Sequence, residues 1–177
     1  MEENCIIHHY ILANEIISQC DTVKVETMCF KALQKRAKET KISESTGKFI
    51  RKKRFGKSLA NKAPRMFLII LKNKMLARGG LYLEVDTQSL KASQYNHLNK
   101  EYSRKKLSQR WNHFVYKGDK IRIQRDLYSS FLIKNVNQDL KTIDNEACVN
   151  GFEMFLKLHD KEIDRLDRLK NLSSIGI

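Results

Sequence analysis

The order of apolar and polar positions predicts helices alternating with short strands in the first part of the chain. In residues 3–20, the apolar side chains recur at offsets of 4, 7, 11 and 14, which fall on one face of a helix. Residues 23–27 then alternate between apolar and charged side chains, which predicts a strand. On that strand Glu26 points away from the two valines.

The same pattern predicts five more helices and strands beyond residue 60. Pro64 suits the first turn of a helix that ends at Gly79 and Gly80. Residues 81–85 alternate as a second strand, and residues 87–118 form a long polar and basic stretch without clear periodicity, which we interpret as a loop. Further elements are a strand at 120–124, a helix from about Asp126 and a helix at about 142–171.

This element order predicts an α/β protein with few strands. Two or three strands seldom form a stable sheet unless helices cover them. We therefore expect an incomplete sheet covered by helices, with strands missing on its N-terminal side. The shortage of strands suggests a truncated domain.

Basic side chains are distributed unevenly along the chain, which bears on the kind of partner it binds. Residues 31–62 contain twelve basic and two acidic side chains, and residues 63–126 contain fourteen and five. The two ends of the chain have a slight acidic excess. A basic block of this kind indicates a polyanionic partner, most commonly nucleic acid. The alternative is a solubilising surface without a partner.

The candidate nucleic-acid contacts lie in two basic clusters. The first comprises Arg51, Lys52, Lys53, Arg54, Lys57 and Lys62, and the second comprises Arg104, Lys105, Lys106 and Arg110. Trp111 follows the second cluster and either stacks on a base or packs in a core. The segment Phe55–Ser58 ends like a phosphate-binding loop, but Arg51 stands where that motif needs glycine, which argues against nucleotide hydrolysis.

The cysteines indicate a reducing compartment. Cys5, Cys20, Cys29 and Cys148 include no closely spaced pair of the kind that binds zinc, so buried free thiols are the expected state. The sequence shows neither a signal peptide nor an apolar run of about 20 residues that would span a bilayer. We expect a cytoplasmic protein that does not enter a membrane.

Three stretches resemble the C-terminal half of the TnpB/OrfB family of transposon-associated proteins. They are HHYILANEIISQCDTVKVETMCFKALQK at 8–35, FGKSLANKAPRMFLIILKNKMLARGG at 55–80, and KKLSQRW at 105–111 with QRDLYSSFLIKN at 124–135. The family is related to the type V CRISPR effectors and has a RuvC-like (RNase H-type) nuclease fold. The resemblance covers about residues 8–136.

The resemblance implies a domain organisation and a pair of catalytic carboxylates. It implies a partial RuvC-like domain at 1–35 and 55–140, a basic insertion at 36–54, a degenerate zinc-ribbon position at 87–123 and a C-terminal helix at 141–177. It assigns the second and third catalytic carboxylates to Glu26 and Asp126. From the residues alone, an exposed strand carboxylate is favoured for Glu26 and a helix cap for Asp126.

The sequence departs from the family pattern at two metal sites, the catalytic Mg²⁺ site and the zinc ribbon. The family's first catalytic aspartate lies on an earlier strand, before the first residue of this sequence, and Asp21 cannot replace it. The interval 87–123 has no cysteine, and His97 and His113 alone do not predict zinc. RuvC-like cleavage uses two divalent ions, so we expect Mg²⁺ at Glu26 and Asp126 only if the site is completed.

Three functions remain open at this point. The first is a transposon-encoded protein that binds DNA and a guide-type RNA and has no nuclease activity of its own. The second is one half of a Mg²⁺-dependent RuvC-like endonuclease that an upstream half of the same protein completes. The third is a non-functional insertion-sequence remnant.

Overall fold

The computed structural model describes residues 2–30, 32, 38–50, 62–106 and 108–168. The chain divides into two compact units. The first comprises Met1–Val23 with Thr27–Leu83, and the second comprises Lys24–Glu26 with Glu84–Ile177. Each unit contains helices and strands, so the expected mixed α/β class is confirmed.

The first unit is a helix pair beside two short strands. Helix α1 (Glu2–Gln19) packs against α2 (Pro64–Ala77), and strands β1 (Thr22–Glu26) and β2 (Leu81–Val85) form a two-stranded sheet. All four elements were predicted from the periodicity. The buried cluster in the described part of this unit is small and contains Ala13, Ile70 and Leu71, and Met75 is buried as well.

Two glycines end α2 as predicted and direct the chain into β2. Gly79 has a φ of 78°, a conformation that favours glycine. The Gly80 amide donates to the Met75 carbonyl at 2.9 Å, and the next amide, of Leu81, donates to the Asp21 carbonyl at 2.8 Å. A Cβ atom at Gly80 would lie 2.9 Å from that same Asp21 oxygen, so only glycine fits there.

Part of the expected basic insertion at 36–54 is described. Ile42 and Phe49 form an isolated antiparallel bridge, and the Ser43 amide donates to the Lys48 carbonyl at 2.9 Å. Residues 41–50 therefore form a small hairpin-like loop. Residues 33–37 and 51–61 lie outside the described residues.

The second unit contains several elements within the expected loop at 87–118. These are α3 (Thr87–Leu90), a 3-10 turn (Ala92–Gln94), β3 (Tyr95–Asn96), β4 (Glu101–Tyr102) and β5 (Trp111–Tyr116). The interpretation of this stretch as a loop was therefore wrong. The predicted strand β6 (Asp119–Gln124) pairs antiparallel with β5, and the predicted helices are α4 (Arg125–Lys134) and α5 (Asn145–Arg168).

The core of the second unit is aromatic and encloses a histidine. Tyr128 and Phe131 of α4 pack against Phe152 and Phe155 of α5, with ring centroids between 4.5 and 6.3 Å apart for the contacting pairs. His97 is also buried in this core, with its ring edge-on to Phe152. The core thus holds α4 and the β5–β6 hairpin against α5. Because Asp126 belongs to α4, this packing determines its position.

Candidate functional site

Glu26 and Asp126 lie in the same unit, and the charge of Asp126 acts on Glu26. Glu26 is the last residue of β1, and Asp126 is the second residue of α4. Burial raises the pKa of the Glu26 carboxyl, and the negative charge of Asp126 raises it further. Two acidic residues one hundred positions apart in the sequence therefore lie within electrostatic range of each other.

The surroundings of Glu26 differ from those of an ordinary surface glutamate. Its side chain is partly buried at the end of β1, so the alternative of an exposed strand carboxylate was wrong. Lys24, on the same face of the strand, donates from Nζ to the carbonyls of Lys134 and Val136 at 2.9 and 3.1 Å. These carbonyls lie at the C-terminal end of α4, where a cation is favourable. Lys24 therefore fixes β1, and with it Glu26, against α4.

Asp126 is not the N-terminal cap of α4. The Gln124 side-chain oxygen occupies the cap position and accepts from the amides of Asp126 and Leu127 at 2.6 and 2.8 Å. The helix-cap alternative for Asp126 was therefore wrong. Its carboxylate remains in the first helical turn, next to the positive end of the helix dipole.

Two guanidinium groups and one amide surround the Asp126 carboxylate. Arg125 Nε lies 3.2 Å from Oδ1, and Arg110 Nη1 lies 3.9 Å from Oδ2. Gln124 Nε2 donates to Oδ2 at 3.3 Å. The Asp126 side chain keeps 57% of its exposure, so these ion pairs are screened by water and each contributes little stability. The carboxylate remains accessible to a ligand.

Sequence reasoning missed a histidine that supports the start of α4, where Asp126 lies. His159 of α5 is buried, and its Nε2 accepts from the Gln124 amide at 3.0 Å. Because that amide must donate, the proton of the neutral ring is on Nδ1, which donates to Asp160 Oδ1 at 2.8 Å. A histidine in an amphipathic helix gives no sequence signal for such a role, because its partner lies 35 positions away.

The two acidic side chains match part of a Mg²⁺ site. Carboxylate oxygens are the ligands that Mg²⁺ prefers, and it is commonly held by one or two of them together with water and substrate phosphates. Within the described ranges, no group of three or more His, Cys, Asp or Glu side chains is placed to hold a metal ion. The described residues thus supply a pair of ligands and not the three carboxylates of a complete RuvC-like centre.

Of the other histidines and cysteines of the second unit, His97 and Cys148 are buried and His113 is exposed. Nδ1 of His97 lies 2.6 Å from the Tyr128 hydroxyl, which also accepts the His97 amide, whereas His113 is exposed on β5. Cys148 is fully buried, and burial raises the pKa of its thiol to about 12. All four cysteines are free thiols.

The predicted nucleic-acid contacts have different surroundings. Arg51, Lys52, Lys53, Arg54 and Lys57 lie outside the described residues. Lys62, Arg104 and Lys106 are exposed. Lys105 is instead partly buried: its Nζ donates to Asn112 Oδ1 at 2.6 Å and lies over the Phe114 ring. Arg110 lies beside Asp126, with Nη1 3.9 Å from Oδ2.

Trp111 combines features of both alternatives considered for it. Its ring is partly buried and edge-on to His159, with centroids 6.3 Å apart. The guanidinium carbon of Arg122 lies 3.8 Å from the indole centroid. At that distance the guanidinium must lie over the face of the ring, because an approach in the ring plane would clash. The indole is thus held by α5 on one edge and by Arg122 on one face.

A groove of about 1090 Å³ runs between α4 and α5. Its lining includes the apolar side chains of Leu127, Phe131 and Leu158 and charged side chains such as Lys134 and Arg165. No helix among the residues with described positions has the length and apolar character needed to cross a membrane.

Comparisons of the chain with protein-family models, with curated proteins and with solved structures find no match.

Proposed function

We propose that this chain is a nucleic-acid-binding protein of the TnpB/OrfB type, with a partial RuvC-like domain at 1–35 and 55–140, that binds DNA and a guide-type RNA. The observation that carries the proposal is the proximity of Glu26 and Asp126. The resemblance assigns catalytic carboxylates to these two residues, on a strand end and a helix start. Such an approach between positions so distant in the sequence is not expected of two unrelated surface acids.

The charge distribution supports the same proposal. The basic block at 31–126 follows an acidic start and precedes a nearly neutral end. Exposed Lys62, Arg104 and Lys106 are placed to neutralise phosphates. Free thiols throughout the chain are compatible with the cytoplasm, where the proposed partners are found.

Binding is tested by fluorescence anisotropy of labelled RNA and DNA across a salt series. We expect affinity to fall steeply with salt, with a slope of about −0.9 per phosphate neutralised on duplex DNA. Replacing Arg51, Lys52, Lys53 and Arg54 together with serine should make the slope shallower. Replacing Lys157 and Lys161 of α5 with serine is the control and should change the slope little. Absence of binding at low salt, from a folded sample, would contradict the proposal and favour a remnant.

A second candidate is one half of a split endonuclease, and the electrostatics of the carboxylate pair favour it. Glu26 and Asp126 repel each other when both are ionised. A divalent cation between them would relieve this repulsion, and when bound it would polarise a phosphodiester oxygen or activate water. In such a site Glu26 and Asp126 would hold the ion, and Arg110 would remain close enough to pair with a phosphate.

Cation binding and cleavage are measured separately. We expect Mg²⁺ to bind weakly to the chain, and Glu26→Gln or Asp126→Asn to abolish binding in calorimetry, whereas Glu146→Gln, at an exposed acid of α5, should not. The chain alone should not cut DNA, because a pair of carboxylates stabilises the transition state poorly. Cleavage should appear when a polypeptide carrying the family's first aspartate is added. Mg²⁺-dependent cleavage by the chain alone, lost in Asp126→Ala, would overturn the expectation of inactivity.

A further inference from the structure

The outward face of the β5–β6 hairpin is a basic and aromatic surface. Strand alternation and the register place Trp111, His113 and Val115 of β5 on this face, opposite Gln124, Arg122 and Lys120 of β6. The other face turns Asn112, Phe114 and Ile123 into the core. His113, Val115, Lys120 and Arg122 are exposed, and Val115 retains 66% of its exposure.

We propose that this face is a stacking platform for single-stranded nucleic acid, with the Arg122–Trp111 pair as its base-contacting centre. The inference rests on the proposed nucleic-acid binding and adds the form of nucleic acid and the residues that recognise it. A guanidinium 3.8 Å from an indole centroid is held over the ring and presents its outer side to solvent. Planar guanidinium groups and aromatic rings are surfaces on which unpaired bases stack.

The electrostatics of this face suit a polyanion. Lys120 and Arg122 are cationic, and His113 lies directly across from Arg122. Asp119, the acidic residue of the hairpin, pairs with Tyr116, and strand alternation places it on the other face of the hairpin. On the neighbouring helices, Asp126 is paired with Arg110 and Arg125, and Asp160 accepts a hydrogen bond from the neutral His159 ring and keeps its charge. Phosphates along a strand would therefore meet Lys120 on one side of the stacked base.

The geometry favours a single strand over a duplex. In a duplex the faces of the bases are covered by their neighbours, so a stacking surface cannot reach them, and only phosphate contacts with Lys120 would remain. In a single strand each base has a free face, and exposed Val115 offers apolar area beside the stack. A stretch of a few nucleotides would span the hairpin, from Trp111 to Lys120.

The test uses Trp111 itself, because it is the chain's single tryptophan. Titrating the full chain with a 12-nucleotide single strand should quench tryptophan emission saturably, with the midpoint seen in anisotropy. A duplex of the same length should bind without this quenching. Binding of the single strand with unchanged emission would overturn the stacking platform while leaving the proposed function intact. No binding of either form would contradict the proposed function and the platform together.

Variants separate stacking from charge. Arg122→Lys keeps the positive charge but removes the planar group, and we expect it to weaken single-strand binding about tenfold while leaving duplex binding unchanged. Lys120→Ala should weaken both forms, and Lys157→Ala on α5 is its matched control. Equal effects of Arg122→Lys on both forms, or the same quenching with poly-glutamate, would show an anion patch without base recognition and would overturn the platform.

Discussion

Glu26 and Asp126 show how far single residues could be interpreted from the sequence. Their element positions, at the end of a strand and the start of a helix, followed from the periodicity. Their surroundings did not, because Gln124, His159 and Lys24 support the site through backbone groups. A hydrogen bond to a distant backbone amide or carbonyl depends on tertiary structure, and no spacing in the sequence encodes it.

His97 is a buried residue whose protonation should limit stability in acid. Its ring is 1% exposed, and burial lowers its pKa from 6.5 to about 4. The unfolded chain takes up a proton near pH 6.5, whereas the folded chain does not until about pH 4. The contribution of neutral His97 to the free energy of unfolding is therefore complete above pH 6.5 and is lost as the pH falls from 6.5 to 4. The loss of stability amounts to about 3 kcal/mol.

Urea unfolding between pH 7.5 and pH 4 measures this loss. We expect His97→Gln to be less stable at pH 7.5, because Gln fits the aromatic core poorly, but to lose about 3 kcal/mol less than the wild type on acidification. His113→Gln, at the exposed histidine of β5, should retain the wild-type loss. If His97→Gln and the wild type lose stability in parallel, His97 is not the responsible group.

Among the helices and strands, periodicity identified those whose apolar residues recur at a regular spacing and missed those without such a spacing. Helices α1, α2, α4 and α5 and strands β1, β2 and β6 were predicted. Strand β5 was missed because a polar residue, Asn112, occupies an inward position and Trp111 occupies an outward one. Asn112 is tolerated there because Lys105 donates to its side chain. Strands β3 and β4 have two residues each, too few for a period to appear.

Helix α5 contains a glycine that the fold does not require. A Cβ atom at Gly151 would lie 3.6 Å from Phe131 Cε2, an ordinary contact, and the helix interior favours alanine. We expect Gly151→Ala to stabilise the chain by roughly 0.5–1 kcal/mol in urea unfolding. Gly80→Ala is the contrasting variant and should be destabilising, because its Cβ would approach the Asp21 carbonyl too closely. A loss of stability in Gly151→Ala would mean that α5 packs more tightly against α4 than described.

For the chain as a whole, the division into units was not expected from the sequence. The boundary falls after Val23 in β1 and after Leu83 in β2, inside strands that periodicity presents as continuous. The two units also differ in core size. Among the described residues, the first has a buried cluster of three apolar residues together with buried Met75, whereas the second has a larger buried cluster rich in aromatic rings. Burial depends on which distant residues meet, so sequence patterns alone did not predict this imbalance.

Hydrogen exchange should reveal the imbalance. Exchange protection follows the apolar area buried in each cooperative unit. We expect amides of α1 and α2 to exchange faster than those of α4 and α5 at neutral pH. Leu132→Ala should accelerate exchange in α4 and α5, and Leu71→Ala in α1 and α2, because each residue is buried in the core of its own unit. Equal protection in all four helices would indicate that the chain opens as one unit.

The buried thiol of Cys148 is a natural probe for the opening of the second unit. Alkylating reagents attack the thiolate, and a thiol with a pKa of about 12 that is also shielded from solvent is nearly inert. Cys29 is exposed and would be labelled at once, whereas Cys148 would be labelled only when α5 separates from the aromatic core. A timed pulse of reagent followed by mass spectrometry would therefore record how often the second unit opens, without any engineered probe.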